Sequence, residues 1–536
     1  MASYLHPGVY IEELPSGARP IEGVGTSTAC FMGYATRGPV GSPVLISSWD
    51  DYVRNFGGLR EVTASSRGDD LGLSVSAFFL NGGSKTYIIR LAAKDTPTTS
   101  RGTLSNAAAA KVLEVEAINP GAWADQLVLR LTPKPLPVGS VPAGNNFMAE
   151  VGRNEATPGG GSVFVPEENL GEVNGDDTAT NGILRVINMS SRRIRVTLPA
   201  GITTSAAAAT LSAAYVAVET LSGTLARGDD GDPPASGDYT PVLNALLKVR
   251  DINILLLPGV FKGDDGHTTA VEDMTAIVDA AVAHCEKIGN RMLIVDLAPG
   301  LSLSDETAIN NLGLPTSTYA VTYYPWTRIN NPFYNPDSNP AADRTVLVSP
   351  GATAAGLWAK TDGRRGVWKA PAGIEFPVLG VSSLEYVVED PEQDFLNPAG
   401  VNALRRMPGF GPVVWGARTR STRTNPEWRY VPVRRTALFI EESIYNGIQW
   451  AVFEPNDSRL WSSLRANIES FMNGLFRVGA FQGDKASDGY FVRCGLGQTM
   501  TQDDIDRGQV IVLVGFAPLK PAEFVIVRIQ QKVAQQ

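Results

Sequence analysis

Residues 453–476 read FEPNDSRLWSSLRANIESFMNGLF, followed at 499–518 by TMTQDDIDRGQVIVLVGFAP and at 520–530 by KPAEFVIVRIQ. In the first of these, Leu460, Trp461, Leu464, Ile468, Phe471, Met472, Leu475 and Phe476 recur at three- and four-residue spacing. That spacing predicts one apolar stripe on a helix over 458–477, with Asp457 or Ser458 as N-cap and Gly479 beyond its end. Its outer face carries Arg459, Arg465, Glu469 and Arg477. The runs 509–516 and 523–530 are apolar and β-branched enough to be strands. Upstream, an Arg-rich loop (WGARTRS, 415–421) leads into EWRYVPVRRTALFIEESI (427–444) and a second helix expected over 436–452.

Working outward, the middle of the chain changes pattern. Apolar strands at 252–257, 292–295, 319–324 and 344–348 alternate with helices at 271–288 and 352–360. Short apolar strands separated by helices imply a parallel sheet covered on both faces. Near the start, a strand at 26–34, helices at 49–56 and 71–80 and a strand at 86–91 are expected, with Asn81, Gly82 and Gly83 between the last two. Residues 111–132 alternate as strands around an Asn-Pro-Gly turn at 119–121. The stretch 153–182, rich in Gly and acid, reads as a long hairpin loop or mobile insertion; 205–221 is Ala-rich and helical, and RGDDGDPPASGD at 227–238 reads as a linker.

At 536 residues the chain exceeds one ordinary core, so three or four domains are expected. With 43% hydrophobic and 19% charged residues it is globular, and 54 Gly and 36 Pro imply many turns. No apolar run approaches the ~18 residues of a membrane span, and MASYLHPGVYIEE lacks the pattern of a signal peptide. Cys30, Cys285 and Cys494 are far apart and lack metal-ligand spacing, which points to a reducing compartment. The net charge of −9 disfavours general nucleic-acid binding. Its distribution is uneven: residues 401–536 hold 17 Lys/Arg against 12 Asp/Glu, a net +5, leaving −14 for residues 1–400. Eight Arg between Arg405 and Arg435, interleaved with Trp415, Trp428 and Tyr430, suit an acidic protein partner as well as stacked bases. His6, His267 and His284 are scattered, and Asp229, Asp230, Asp232, Asp264 and Asp265 lack the ligand order of a calcium loop, so no cofactor or metal is expected.

Together with SYLHPGVYIEELPSGARPIEGVGTS at 3–27, GYATRGP at 33–39 and WAKTDGRRGVWKAPAG at 358–373, the C-terminal third resembles the contractile tail sheath proteins of myophage tails and related bacterial injection machines. The resemblance implies an α/β and α+β multidomain chain: an N-terminal arm (1–25), a mixed-sheet core built jointly from 26–95 and 375–522, an inserted β-rich domain (96–235), a subtilisin-like α/β domain (236–374) and a C-terminal arm (523–536). It also implies strand exchange between subunits through Val9, Tyr10, Ile11 and Glu12 at one end and Phe524, Val525, Ile526, Val527 and Arg528 at the other. A charged helix, either 458–477 through Arg459, Arg465, Glu469 and Arg477 or 436–452, would face an inner tube. Implied partners are other copies of the chain, an inner tube protein, and baseplate and tail terminator proteins, with neither nucleic-acid contact nor membrane insertion. The particle would be a virion tail or an injection device assembled in the cytoplasm.

Two rival functions are weighed against this one. A rigid, non-contractile shell would share the arms without a charged tube-facing helix. A subtilisin-like hydrolase needs a Ser, a His base and an orienting carboxylate. Aligning Ser349-Pro350 with the subtilase pattern places Val346 at the nucleophile position, and Val cannot attack a carbonyl. Asp296, at a strand end, is expected to be a helix cap or turn former.

Overall fold

The strand Ala29–Tyr34 is buried at every position, the signature of a strand covered on both faces of a parallel sheet. A computed structural model describes residues 20–61, 69–93, 96–105, 111–134, 146–157, 160–216, 220–232, 234–261, 271–303, 305–421, 423, 425–524 and 526. The chain divides into a larger unit, Ser27–Lys360 with Pro371–Pro426, and a smaller one, Met1–Thr26 with Thr361–Ala370 and Glu427–Gln536. No helix among the described residues is long and apolar enough to cross a membrane.

In the larger unit, Ala29–Tyr34 pairs in parallel with Thr86–Leu91 on one side and Ile254–Leu256 on the other. The sheet continues in parallel through Met292–Asp296, Ala320–Tyr324 and Val401–Met407. Antiparallel edge strands, Gly411–Val414 and Val44–Ile46, complete eight. The helix Val271–Ile288 returns the chain between Ile254–Leu256 and Met292–Asp296, burying Ile277, Ala281 and Cys285 against Cys30, Leu255 and Leu293. At roughly 1.5–3 kcal/mol per buried large apolar side chain, this layer is a main source of stability for the unit.

This topology corrects the expected division of the chain. The resemblance places residues 26–95 in a core shared with 375–522, apart from the α/β segment 236–374. Strands 29–34 and 86–91 instead share one sheet with 254–256, 292–296 and 320–324, and only 401–414 joins them from the C-terminal third. The apolar runs of 26–34 and 252–257 each need a neighbour on both edges, and each supplies one to the other.

A second, seven-stranded antiparallel sheet lies within residues 101–224, in the order 162–174, 146–156, 127–133, 221–224, 101–105, 111–117, 194–197. Its core includes Leu113, Leu129, Phe147 and Val196, all nearly inaccessible. The segment 153–182 is therefore not a loop over most of its length: Ser162–Asn174 forms a 13-residue strand paired with Asn146–Ala156. Gly152 explains part of the disguise, since a Cβ there would lie 2.1 Å from Val165 O, so close pairing demands glycine. Thr345–Val348 pairs antiparallel with Thr327–Asn330 in a small third sheet completed by Val381–Leu384.

Candidate assembly interface

The smaller unit is built on two helices and a two-stranded ribbon. Helix Ser458–Arg477 starts at Asp457, whose carboxylate accepts from the amides of Arg459 at 2.9 Å and Leu460 at 3.0 Å. Leu460, Leu464, Ile468, Met472 and Leu475 are buried along its inner stripe, and Ile468 and Met472 meet Ile21, Ile440, Phe481 and Val492. The outer face shows Arg459, Ser462, Ser463, Ala466, Glu469, Ser470 and Arg477 to solvent. Arg459 is 94% exposed. Arg465 is half-buried and donates to the Cys494 carbonyl at 3.2 Å, so it fastens the helix to the ribbon. Burial raises the Cys494 thiol pKa, with the Arg465 charge opposing.

The other helix, Val431–Gly447, is of a different kind. Arg434, Arg435 and Glu442 are buried, each 6% exposed or less. Arg435 holds Asp362 through two hydrogen bonds of 2.8 and 2.5 Å. Of the four charged side chains on this helix only Glu441 is exposed, so exposed charge concentrates on 458–477.

Tyr490–Arg493 pairs antiparallel with Leu513–Phe516, and among the described residues these two strands are the whole sheet. Val492 faces inward, while Phe491 and Leu513 stand 44% and 50% exposed. Phe491 lies over Gly515, and the Arg493 guanidinium sits 5.2 Å from the Phe491 ring centre. The strand expected over 509–516 begins late because its first residues are bonded otherwise: Asn456 Nδ2 donates to Gln509 O and Thr499 Oγ1 to Ile511 O.

Of the proposed exchange residues, Val9, Tyr10, Ile11, Glu12, Val525, Val527 and Arg528 lie outside the described residues. Phe524 and Ile526 are 73% and 79% exposed and in no strand. They do not help cover the chain's own core.

The constellation nearest to an enzyme's is in the larger unit. Asp296 ends its strand and is buried, accepting from Gly351 N at 3.0 Å and from the Ser349 hydroxyl, at the start of helix Pro350–Arg365. Ser349 Oγ in turn accepts from Ala352 N at 3.3 Å. Burial pushes the Asp296 carboxyl up to about 6 despite these bonds. Asp296 is therefore a helix cap, as its strand-end position suggested. Val346 lies in a strand opposite Ile329. His284 accepts from Arg291 Nη1 at 3.2 Å, and burial, then the Arg291 charge, lowers it to about 4, so it is neutral and committed elsewhere. Asp230 is likewise used structurally, accepting from Tyr34 Oη and Ala122 N. His267, Asp264 and Asp265 lie outside the described residues, among which no group of three or more His, Cys, Asp or Glu is placed to hold a metal ion.

Two family models cover consecutive stretches: the phage tail sheath protein central domain over residues 234–420 and the phage tail sheath C-terminal domain over 423–532. The chain belongs to the contractile tail sheath family. Among tail sheath proteins it is 32% identical over 157 residues to that of Burkholderia phage BcepMu, which is 28% of this chain and 32% of the relative. It is 26% identical over 220 residues to that of Enterobacteria phage T4, 40% of this chain and 30% of the relative. The matched stretch thus spans about a third of each of these curated relatives. The fold extends further than the sequence likeness. The helical sheath of the anti-feeding prophage in its contracted state superposes with a TM-score of 0.58 over 99% of this chain and 100% of that one, at 24% identity.

Proposed function

We propose that this chain is the structural subunit of a contractile sheath that polymerises helically around an inner tube and contracts to drive the tube through a target envelope. The observation that carries the reading is the ribbon 490–493/513–516. A two-stranded ribbon is marginal in water, and among the described residues its outer edges have no strand partner and so offer backbone donors and acceptors. Val9 to Glu12 from one neighbour and Phe524 to Arg528 from another have the composition to add strands at those edges. Exposure of Phe524 and Ile526 supports this, since apolar side chains left in water within the subunit gain by burial in the next one.

Head-to-tail contacts of this type do not close on themselves, so they generate a helical tube. Contraction is then a rigid-body movement of subunits, with the arms as hinges that keep the mesh connected. The driving free energy comes from new contacts between subunits and needs no nucleotide. Arg459, Glu469 and Arg477 on the exposed face of 458–477 contact the inner tube, with Arg465 held back by its bond to Cys494 O. Baseplate and terminator proteins cap the two ends of the tube. The chain carries out no catalysis, and its place is a virion tail or an injection particle built in the cytoplasm.

The test is Tyr10→Pro, which deletes one ladder donor and changes little else. Such a subunit, melting like the unaltered one, should remain monomeric where the unaltered protein builds striated tubes by negative-stain microscopy. Full-length contractile sheaths from Tyr10→Pro would overturn strand exchange for the N-terminal arm.

A further inference from the structure

Segment 20–26 and Glu523 are both fastened to a single helix of the smaller unit. Segment 20–26 runs antiparallel to helix Val431–Gly447: Ile21 rests on Gly447, where a Cβ would approach Ile21 Cγ1 to 2.6 Å, and Gly23 lies under the Phe439 ring. Val24 N donates to Ser443 Oγ at 3.1 Å. At the far end of the segment, Thr26 Oγ1 donates to Asp362 Oδ2 at 2.6 Å, and Arg435 Nη2 donates to Thr26 O at 2.9 Å. The Arg435–Asp362 pair behind these bonds is only 4% and 6% exposed in its two side chains. At the N-terminal end of the same helix, Tyr430 Oη donates to Glu523 Oε2 at 3.0 Å. The described N-terminal segment therefore begins beside Gly447, and Glu523 lies beside Tyr430. A helix of 17 residues holds those two points about 25 Å apart.

We propose that helix Val431–Gly447 is the common anchor of both arms, with the Arg435–Asp362–Thr26 clasp and the Tyr430–Glu523 bond as its two fastenings. The inference rests on the strand-exchange reading above and assigns these residues a positioning role within it. Tension arriving through the N-terminal arm loads segment 20–26 parallel to the helix, so its bonds share the load instead of opening one at a time. The guanidinium fork suits that task, because it binds both carboxylate oxygens and the Thr26 carbonyl together and fixes the register of the segment. An apolar pair of equal size would bury as well but would permit sliding. The anchor also accounts for the burial of the Arg-rich start of this helix, which leaves it unsuited to a tube contact.

A covalent lock gives the first test. A Cβ at 447 would lie 3.0 Å from Ile21 Cβ, so the double variant Ile21→Cys, Gly447→Cys places two thiols within a small adjustment of disulfide geometry, and the three native cysteines are buried. Oxidised subunits should polymerise and contract as the unaltered protein does. Oxidised subunits that fail to polymerise while reduced ones succeed would show that the root peels away, and would overturn the proposal. Arg435→Lys gives the second test, since one ammonium cannot satisfy the whole clasp. Amide exchange at Val24 and Thr26 in the soluble subunit should accelerate roughly tenfold or more, and contracted sheaths should break into short lengths. Unchanged exchange with intact sheaths would refute the clasp. Should Arg435→Lys not fold, Thr26→Val and Tyr430→Phe each remove one fastening, and unchanged exchange at the respective root in both would refute the anchor. Normal sheaths from Tyr10→Pro would sink strand exchange, whereas exchange at residues 24 and 26 would still report the clasp by itself.

Discussion

Replacing Asp296 with Asn should make the soluble subunit more stable at neutral pH and remove part of its pH dependence. Burial holds the Asp296 carboxyl at about 6 in the folded protein against an ordinary 3.8, so the native state keeps a proton that the unfolded chain has released between those values. Stability therefore falls as pH rises through that window and is flat above it. A displacement of about two pH units corresponds to about 3 kcal/mol at pH 7. The Asn side chain keeps an oxygen for Gly351 N but no longer accepts from the Ser349 hydroxyl, at a cost of about 1 kcal/mol. The net expectation is a gain of about 2 kcal/mol at pH 7 and a loss of about 0.5 kcal/mol at pH 4, where the unfolded carboxyl is already more than half ionised. Urea unfolding of the soluble subunit at pH 4, 5, 6 and 7 measures both, and the curves of the two proteins should cross. If the Asn variant were less stable at every pH, the positive end of helix Pro350–Arg365 together with the two hydrogen bonds would outweigh burial, and the reasoning would be wrong.

Three further outcomes are expected. Arg459→Glu with Arg477→Glu should abolish assembly on the inner tube with little change in melting temperature, because both residues are exposed; normal sheathed tubes would remove helix 458–477 as the contact. Arg465→Glu, by contrast, should lower the melting temperature, through loss of its bond to Cys494 O. A fluorophosphonate probe should leave the protein unlabelled, since the Ser349 hydroxyl donates to a buried carboxylate and His284 is held by Arg291; stoichiometric labelling of any serine would contradict this. Ile468→Ala, at a fully buried position of the smaller unit, should cost about 2–5 kcal/mol, and a shift in unfolding midpoint equivalent to less than 1 kcal/mol would mean the stripe is not core.

Helix 458–477 was legible because its cause is local. Apolar spacing at three and four residues, an Asp before the first turn and a Gly after the last are all contained within about twenty consecutive positions. The same holds for strand 29–34 and helix 271–288, and for the Asp296 cap, which needed only a strand end and a following helix. The outer charges of 458–477 were legible as a group, but their separation into exposed Arg459 and Arg477 and half-buried, committed Arg465 was not. That depends on where Cys494 O comes to rest, 29 positions further along.

By itself the sequence determined the strongly periodic elements, such as helices 458–477 and 271–288 and strand 29–34, which of their faces are apolar, and, through its matching motifs, membership of the sheath family. Tertiary structure alone decided which strands are neighbours. The sequence reading placed residues 29–34 in a core shared with 375–522, because a strand buried on both faces announces its need for partners without naming them. The choice fell to Ile254–Leu256, more than two hundred positions away, through backbone hydrogen bonds that carry no residue code. The same reason hid the anchor. Asp362 and Arg435 are 73 positions apart and Thr26 and Arg435 are 409 apart, so an acid, a base and a threonine that look like ordinary polar residues became one clasp only when three distant segments packed together.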